Sequence, residues 1–475
     1  MKKLLSLFFF SLIIISAKSQ STQSIKNDIL KDSIVSKFNR GEYEGIYAMA
    51  NKGFKKSIKS GVLINLLKDA SNLGRIVKAE KMYTDSTNIS TYRFFHREKS
   101  LQLSVRAVSH SSYDVFGLTF YQLPINQTRN HYPSDNLLKT HLDSVVQNAV
   151  NDYMKNENVA GLSVGVLRNG EMFTYNFGET EKGTRKLPSA ETIYEIGSIT
   201  KTFTGIILAH AVQEGKVKLN DDIRNYLVGN FPNLQFEGKA IQLLHLSNHT
   251  SRLPSQPKIV ETGKDPFDTS EPSDEKIFVS VLQNINLDAI PGTKEEYSNF
   301  GVGLLGYILE KVYDQSYEQL LDKYIFKPYK MSESKITFME SDYMKYAQGY
   351  DVEGNTTKYW RNRLVEPAGG IRSTAKDMLL YMQEQLKAKA ESATWLSHQL
   401  TLGDNKKGRG LNWSISTTKK GYLVWGHAGG TDGFSSLCLI YPELNSGIVL
   451  LTNNGNHDDQ SFYDIGKSIY LSWVK

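Results

Sequence analysis

The sequence predicts an α+β protein. An antiparallel β-sheet flanked by helices should lie beside a mainly helical lobe, and a small α+β domain should precede them. Three observations carry this reading. In residues 137–475, two strand-patterned segments come early and three come late, with a long, largely helical stretch between them. Asn169-Gly170 separates two alternating apolar runs, the strongest short-range hairpin signal. Near the start of the chain, helical patterning gives way to consecutive strands, the order of an α+β unit.

Taken in order, Met1-Lys2-Lys3 is a basic stretch. Leu4 to Ile15 is apolar except for Ser6 and Ser11, and Ala17-Lys18-Ser19 offers a small-x-small cleavage pattern. Residues 1–19 therefore read as a secretory signal peptide, with a mature chain starting near Gln20. The alternative of an uncleaved anchor is disfavoured because the run is short for a membrane span. No cysteine follows the run to accept a lipid, so no stable span or anchor is expected after cleavage.

Residues 20–123 read as a small α+β accessory domain. Helical pattern runs to about Leu73, and strands are expected at Ile76–Tyr83, Thr91–His96, around Leu101–Ala107 and at Val115–Tyr121. This order is similar to small cone-shaped domains of the nuclear-transport-factor type, and no catalytic constellation falls in it. A binding or spacer role is expected. Residues 124–136 have linker composition. Ser134-Asp135 then looks like a helix cap, with Leu138, Leu142, Val145, Val146, Ala149 and Tyr153 on one helical face. Strands are predicted at Gly161–Arg168 and Glu171–Phe177, and later at Gly421–Trp425, Phe434–Tyr441 and Gly447–Thr452. A closing helix carries Phe462, Ile465, Ile469 and Trp473.

Composition narrows the function. The 475 residues hold 56 Lys and Arg among 50 Asp and Glu, a net charge of +6 without a basic tract, so nucleic acid is not an expected partner. Cys438 is the only cysteine and lies in an apolar strand-like run, which makes it a buried, inert thiol. No Cys/His spacing suggests a metal site, and no cofactor is expected.

Three segments carry chemistry. In Tyr194 to Gly205, Ser198 and Lys201 stand three residues apart where a turn feeds a helix, so hydroxyl and amine share one face. A serine needs a base to become a nucleophile, and a desolvated lysine can be that base. In Pro291 to Gly301, Tyr297 and Asn299 flank a helix start and can point at one place. In Gly426 to Phe434, His427 is followed by Gly429 and Gly430, glycines that allow close approach of backbone to a ligand. Alone, the first segment reads better as a chance spacing and the second as a buried tyrosine beside a helix cap, and a turn explains the third equally well.

In this order, Ser198-x-x-Lys201, Tyr297-x-Asn299 and His427-x-Gly429 resemble the serine β-lactamase and penicillin-binding protein superfamily. The Tyr-x-Asn element is similar to that of the class C β-lactamase branch. Leu246 to Pro254 and Pro367 to Asp377 resemble two further stretches of that family. The resemblance covers about 137–473. It implies that Ser198 is the acylated nucleophile and that Lys201 and Tyr297 share its proton. Asn299 would touch substrate and Lys201, and His427 would bond the Tyr297 hydroxyl or the substrate. The N–H groups of Ser198 and Gly430 would form an oxyanion hole beside Gly429.

Two departures stand out. Class C enzymes carry Lys-Thr-Gly where this chain has His427-Ala428-Gly429, and Arg252 stands where the family has glycine. A neutral histidine holds a substrate carboxylate weakly. The expectation is therefore an exported hydrolase, periplasmic or secreted, acting on small esters, amides or D-amino-acid peptides, with cell-wall fragments as candidate partners. The alternatives are a β-lactamase or D-alanyl-D-alanine carboxypeptidase proper, or a ligand-binding module without catalysis on the same fold.

Overall fold

The computed structural model describes residues 22–71, 75–76, 78–84, 90–95, 99–109, 112–122, 131–256, 274–352, 354–360, 363–455 and 459–474. The predicted signal peptide lies outside them, as does the predicted linker up to residue 130. The structure divides at Pro124/Ile125 into two compact units.

In the first unit, helices α1 (Thr22–Asn39), α2 (Tyr43–Ala48), α3 (Lys52–Ser57) and α4 (Ser60–Ser71) precede strands β1 (Lys78–Thr84), β2 (Ser90–Phe95), β3 (Lys99–Ser109) and β4 (Ser112–Gln122). The strands pair antiparallel in chain order. Leu30, Ile34 and Phe38 recur at four-residue spacing on α1 and meet Ile46, Leu63, Leu67 and Tyr113 in one core. Asn51 starts α3 by accepting the Phe54 N–H at 2.8 Å. The α+β order read from the sequence is the order found.

The second unit begins with α5 (His141–Met154), the hairpin β5 (Gly161–Arg168) and β6 (Glu171–Gly178), β7 (Tyr194–Glu195) and α6 (Thr200–Gln213). The lobe that follows holds the short pair β8 (Gln235–Phe236) and β9 (Lys239–Ala240), then α7 (Leu243–Ser247), α8 (Asp274–Gln283), α9 (Asn299–Tyr313), α10 (Tyr317–Leu321) and α11 (Glu366–Gly369). After β10 (Arg372–Ser373), α12 (Ala375–Leu386) and α13 (Ala393–Ser397) come β11 (Leu402–Gly403), β12 (Lys407–Arg409), β13 (Ser414–Thr417), β14 (Leu423–Thr431), β15 (Phe434–Tyr441), β16 (Ser446–Thr452) and α14 (Asp459–Leu471).

The main sheet has eight strands in the order β11-β12-β13-β14-β15-β16-β5-β6, each neighbour antiparallel. Asn169 (φ +51) and Gly170 (φ +86) close the β5–β6 hairpin, the left-handed pair that such a turn demands. One sheet face packs on α5 and α14 through Val146, Val150, Val164, Ile465 and Ile469. The other meets α6 and α12 in a second core containing Phe203, Ile207, Met378 and Met382. Covered on both faces, β15 and β16 are buried at every position, which is why they read as continuous apolar runs. Cys438 is fully buried there, as expected.

Three expectations are corrected. The first helix of this unit starts at His141 and not at Ser134. Thr140 and Asp143 form a reciprocal capping box, while Asp135 accepts the Asn176 N–H and ties residues 134–136 to β6. Strands β11 to β13 were not foreseen, because two to four residues are too few to show a period. The strand expected to end at Trp425 continues to Thr431.

Burial in this unit also sets a pH response. His398 stacks on Trp425 with ring centroids 3.9 Å apart and meets Trp413 edge-on, and burial pushes its pKa from 6.5 down to about 3. Below about pH 6.5 the unfolded chain therefore binds a proton that the folded chain refuses. That contribution to stability is complete above this pH and is lost as pH falls toward 3. The melting midpoint should drop between pH 7 and pH 5, and His398→Phe, which keeps an aromatic ring, should lessen the drop. Calorimetry across this range checks it, and an equal slope in the variant would refute it.

Candidate active site

Ser198 sits on a 3-10 turn, Gly197–Ile199, that joins β7 to α6. Backbone contacts fix this turn. The Ile196 N–H donates to the Ile371 carbonyl at 3.1 Å, and the Ser436 hydroxyl donates to the Ile196 carbonyl at 2.8 Å. The Ile371 N–H donates to Thr200 Oγ1 at 3.1 Å, and β7 pairs with β10. The helix behind the serine is buried at every position from Thr200 to Ala209, so it has no solvent face on which to rotate.

Lys201 lies at the start of α6, with Nζ 2.9 Å from Ser198 Oγ, and it donates to the Ala368 carbonyl at 2.7 Å. The side chain is fully buried, and burial pushes its pKa well below that of an ordinary amine. The partial positive charge at the N-terminus of α6 disfavours an ammonium there as well. An amine shifted toward its neutral form thus stands beside a serine hydroxyl.

Tyr297 comes from the loop before α9, and its ring centroid is 4.8 Å from Lys201 Nζ. It packs against His249, with ring centroids 4.4 Å apart, and stands 6.4 Å from the ring of His427. Ser298 caps α9 by accepting the Gly301 N–H at 2.8 Å, and it donates to the Pro254 carbonyl at 2.7 Å. Asn299 is the first residue of α9, and its N–H donates to the Ser255 carbonyl. Among the described residues, Lys201 hydrogen-bonds to Ser198 and Ala368.

His427, Gly429 and Gly430 lie within β14. A Cβ on Gly429 would fall 2.1 Å from the Ile196 carbonyl and 2.9 Å from Ser198 N, and one on Gly197 would fall 2.6 Å from Gly430 N. Only glycine permits this approach, and it brings the Ser198 and Gly430 amides together. His427 Nδ1 is 2.5 Å from the Ala428 carbonyl, while Nε2 is buried without a hydrogen-bond partner among the described residues. Burial, followed by the charges of Lys201 and Arg409, pushes the His427 pKa down to about 3 against the opposing Ala428 carbonyl. Since burial is the largest cause, the ring is neutral whichever charge Lys201 carries. His249 is held low for the same first reason, and its Nδ1 accepts the Ser298 N–H at 3.3 Å.

Ser198, Lys201, Gly429 and Gly430 meet around the serine turn, Tyr297 lies near Lys201 and His427, and Asn299 opens α9 two residues after Tyr297. Sequence reasoning missed two partners. His249 lay inside a stretch quoted only for its resemblance, and its left-handed backbone (φ +62) is invisible in the residue type. The Ala368 carbonyl leaves no side-chain signature at all. Among the described residues, no group of three or more His, Cys, Asp or Glu is placed to hold a metal ion.

Known proteins resemble this chain in sequence and in fold. A family profile described as "Beta-lactamase" matches residues 146–465. The β-lactamase of Yersinia enterocolitica is 27% identical over 375 residues, covering 69% of this chain and 92% of that protein. The β-lactamase of Escherichia coli K12 is 27% identical over 351 residues, covering 66% and 89%. "Protein flp" of Staphylococcus aureus MW2 is 29% identical over 309 residues, covering 62% and 60%. A solved class C β-lactamase superposes with a TM-score of 0.61 at 23% identity over 70% of this chain and 96% of that one. Another, in complex with cefoxitin, gives 0.61 at 23% identity over 70% and 98%. With the family profile spanning more than half of its length, the chain belongs to the β-lactamase family, and its second unit has the class C fold.

Proposed function

We propose that this member of the family is an exported serine hydrolase that works through an acyl-enzyme on Ser198, with small esters, amides or D-amino-acid peptides as substrates. The observation that carries the proposal is the buried Lys201 amine 2.9 Å from Ser198 Oγ. A neutral amine can accept the serine proton as Oγ forms its bond to the substrate carbonyl carbon. The carbonyl π electrons move onto oxygen, where the N–H groups of Ser198 and Gly430 would receive the negative charge. The tetrahedral centre then collapses and the bond to the leaving group breaks. The proton held by Lys201, with Tyr297 beside it, passes to the departing oxygen or nitrogen. Water repeats the sequence on the acyl-enzyme, and Ser198 is regenerated.

The choice of substrate rests on His427. With a neutral ring where class C enzymes carry lysine, the site has no cation at that position for a substrate carboxylate, which favours uncharged acyl groups. β-Lactam hydrolysis is the second reading, favoured by the names of the relatives. Export rests on the pattern of residues 1–19, and no described helix is long and apolar enough to cross a membrane.

Intact-mass spectrometry with a fluorophosphonate probe should show one covalent adduct on the wild-type protein and none on Ser198→Ala. An adduct that survives in the variant would refute the mechanism. Rapid turnover of a penicillin would shift the reading to a β-lactamase, and a lasting penicillin adduct would shift it to a peptidase. Labelling of the wild type should fall as pH is lowered, because protonating the buried amine removes the base. Lys201→Gln should label roughly 10²–10⁴-fold more slowly where the wild-type amine is neutral, and the gap should close as pH is lowered.

Gly429→Ala tests the amide pair separately. Its methyl group would push the Ile196 carbonyl and Ser198 N away from β14. Labelling should slow by about 10²–10³-fold, the cost of losing one oxyanion donor. A variant that labels at the wild-type rate would show that the two amides do not act together.

A further inference from the structure

The residue that departs from the family's glycine is tied to the loop that carries Tyr297. Arg252 has φ +65, a left-handed backbone that glycine adopts freely and arginine does not. Its side chain is only 2% exposed. The guanidinium holds the Asp288 carboxylate with two parallel bonds, Nε to Oδ1 and Nη2 to Oδ2, both at 2.8 Å. Nη2 also lies 2.8 Å from Glu296 Oε2. Glu296 immediately precedes Tyr297, and its N–H donates to the His249 carbonyl at 2.7 Å. The preceding residue, Glu295, is gripped from another element: Arg409 on β12 reaches it with Nε and Nη2, each at 2.8 Å. Two consecutive glutamates, each held by its own arginine, therefore lead directly into the tyrosine.

We propose that Arg252 is a positioning residue: through Glu296 and Asp288 it fixes the loop 288–297, so that the Tyr297 ring is held against His249 and over Lys201 Nζ. The inference rests on the acyl-enzyme reading only for the consequence that a displaced ring slows chemistry. The planar fork of arginine spans two carboxylates at once, a geometry that the point charge of lysine does not reproduce. Backbone bonds from Gly292 to Thr250 and from Glu296 to His249 hold the path of the loop but not its side chains. The buried guanidinium removes that freedom, and the unfavourable left-handed backbone is the cost of placing it there.

The test uses the full chain and three substitutions. Arg252→Gly removes the clamp while suiting the left-handed backbone, so the melting midpoint should change little. Arg252→Lys keeps the charge without the fork. Glu296→Gln cuts the same tie from the loop side. Each should slow fluorophosphonate labelling of Ser198 by about 10-fold or more, with the effect in the maximal labelling rate rather than in the probe concentration giving half of it. Arg252→Gly combined with Glu296→Gln should be no slower than the slower single variant, because both remove one tie. Crystal structures of wild type and Arg252→Gly should show the Tyr297 ring displaced from Lys201 in the variant. An unmoved ring, or labelling at the wild-type rate, overturns the proposal. A wild-type protein without a Ser198 adduct would sink the acyl-enzyme reading instead, and the ring position would still decide whether Arg252 places Tyr297.

Discussion

A lysine amine taken wholly out of water is the constraint on which the rest of the structure depends. Lys201 has room for two partners, the Ser198 hydroxyl and the Ala368 carbonyl, and it has both. The carbonyl keeps the amine from being an unsatisfied buried group and aims it at the serine. Burial shifts it toward the uncharged form. Neither would hold if α6 could turn or if α11 could withdraw, and the packing prevents both. Phe203 stacks on Tyr381 at 4.1 Å, and Thr204 bonds the Pro367 carbonyl beside Ala368. The large apolar core around α6 serves to exclude water from one nitrogen.

How much of this was legible depended on whether side chains or backbone carried the signal. Ser198 and Lys201 could be read because a three-residue spacing at a helix start puts them on one face, and two later segments follow in a matching order. Asn169-Gly170 could be read because few dipeptides accept two left-handed residues. The helix at His141 was misplaced because two cap signals, Ser134-Asp135 and Thr140 with Asp143, compete within one stretch. Only the contact of Asp135 with Asn176 decides between them. Strands β11 to β13 were too short to show a period. The Ala368 carbonyl and the meeting of Gly197 with Gly430 are backbone events, and residue types do not announce them.

The same distinction explains the two departures from the family pattern. Histidine in place of lysine could be interpreted from the sequence, because its chemistry differs wherever it stands. Arginine in place of glycine could not, because its meaning lies in Asp288 and Glu296, which a residue type cannot reveal. Once the partners are known, the substitution links the backbone after α7 to the loop before α9. The polar shell around the site is thus part of the scaffold. Paired charges hold the tyrosine loop, while apolar packing holds the serine and the lysine.

The Ser198 turn rests against the sheet, with the Ser436 hydroxyl donating to the Ile196 carbonyl 240 residues away in the chain. A site of this kind has no partial form. Strand β14 must be paired with β15 before the serine turn has both of them to rest against. Contacts of such long sequence separation form late, after the entropy of closing the intervening chain has been overcome. Reactivity at Ser198 should therefore emerge only when β14 and β15 are paired behind it. A reagent that reacts with this serine would then double as a clock for the completion of folding.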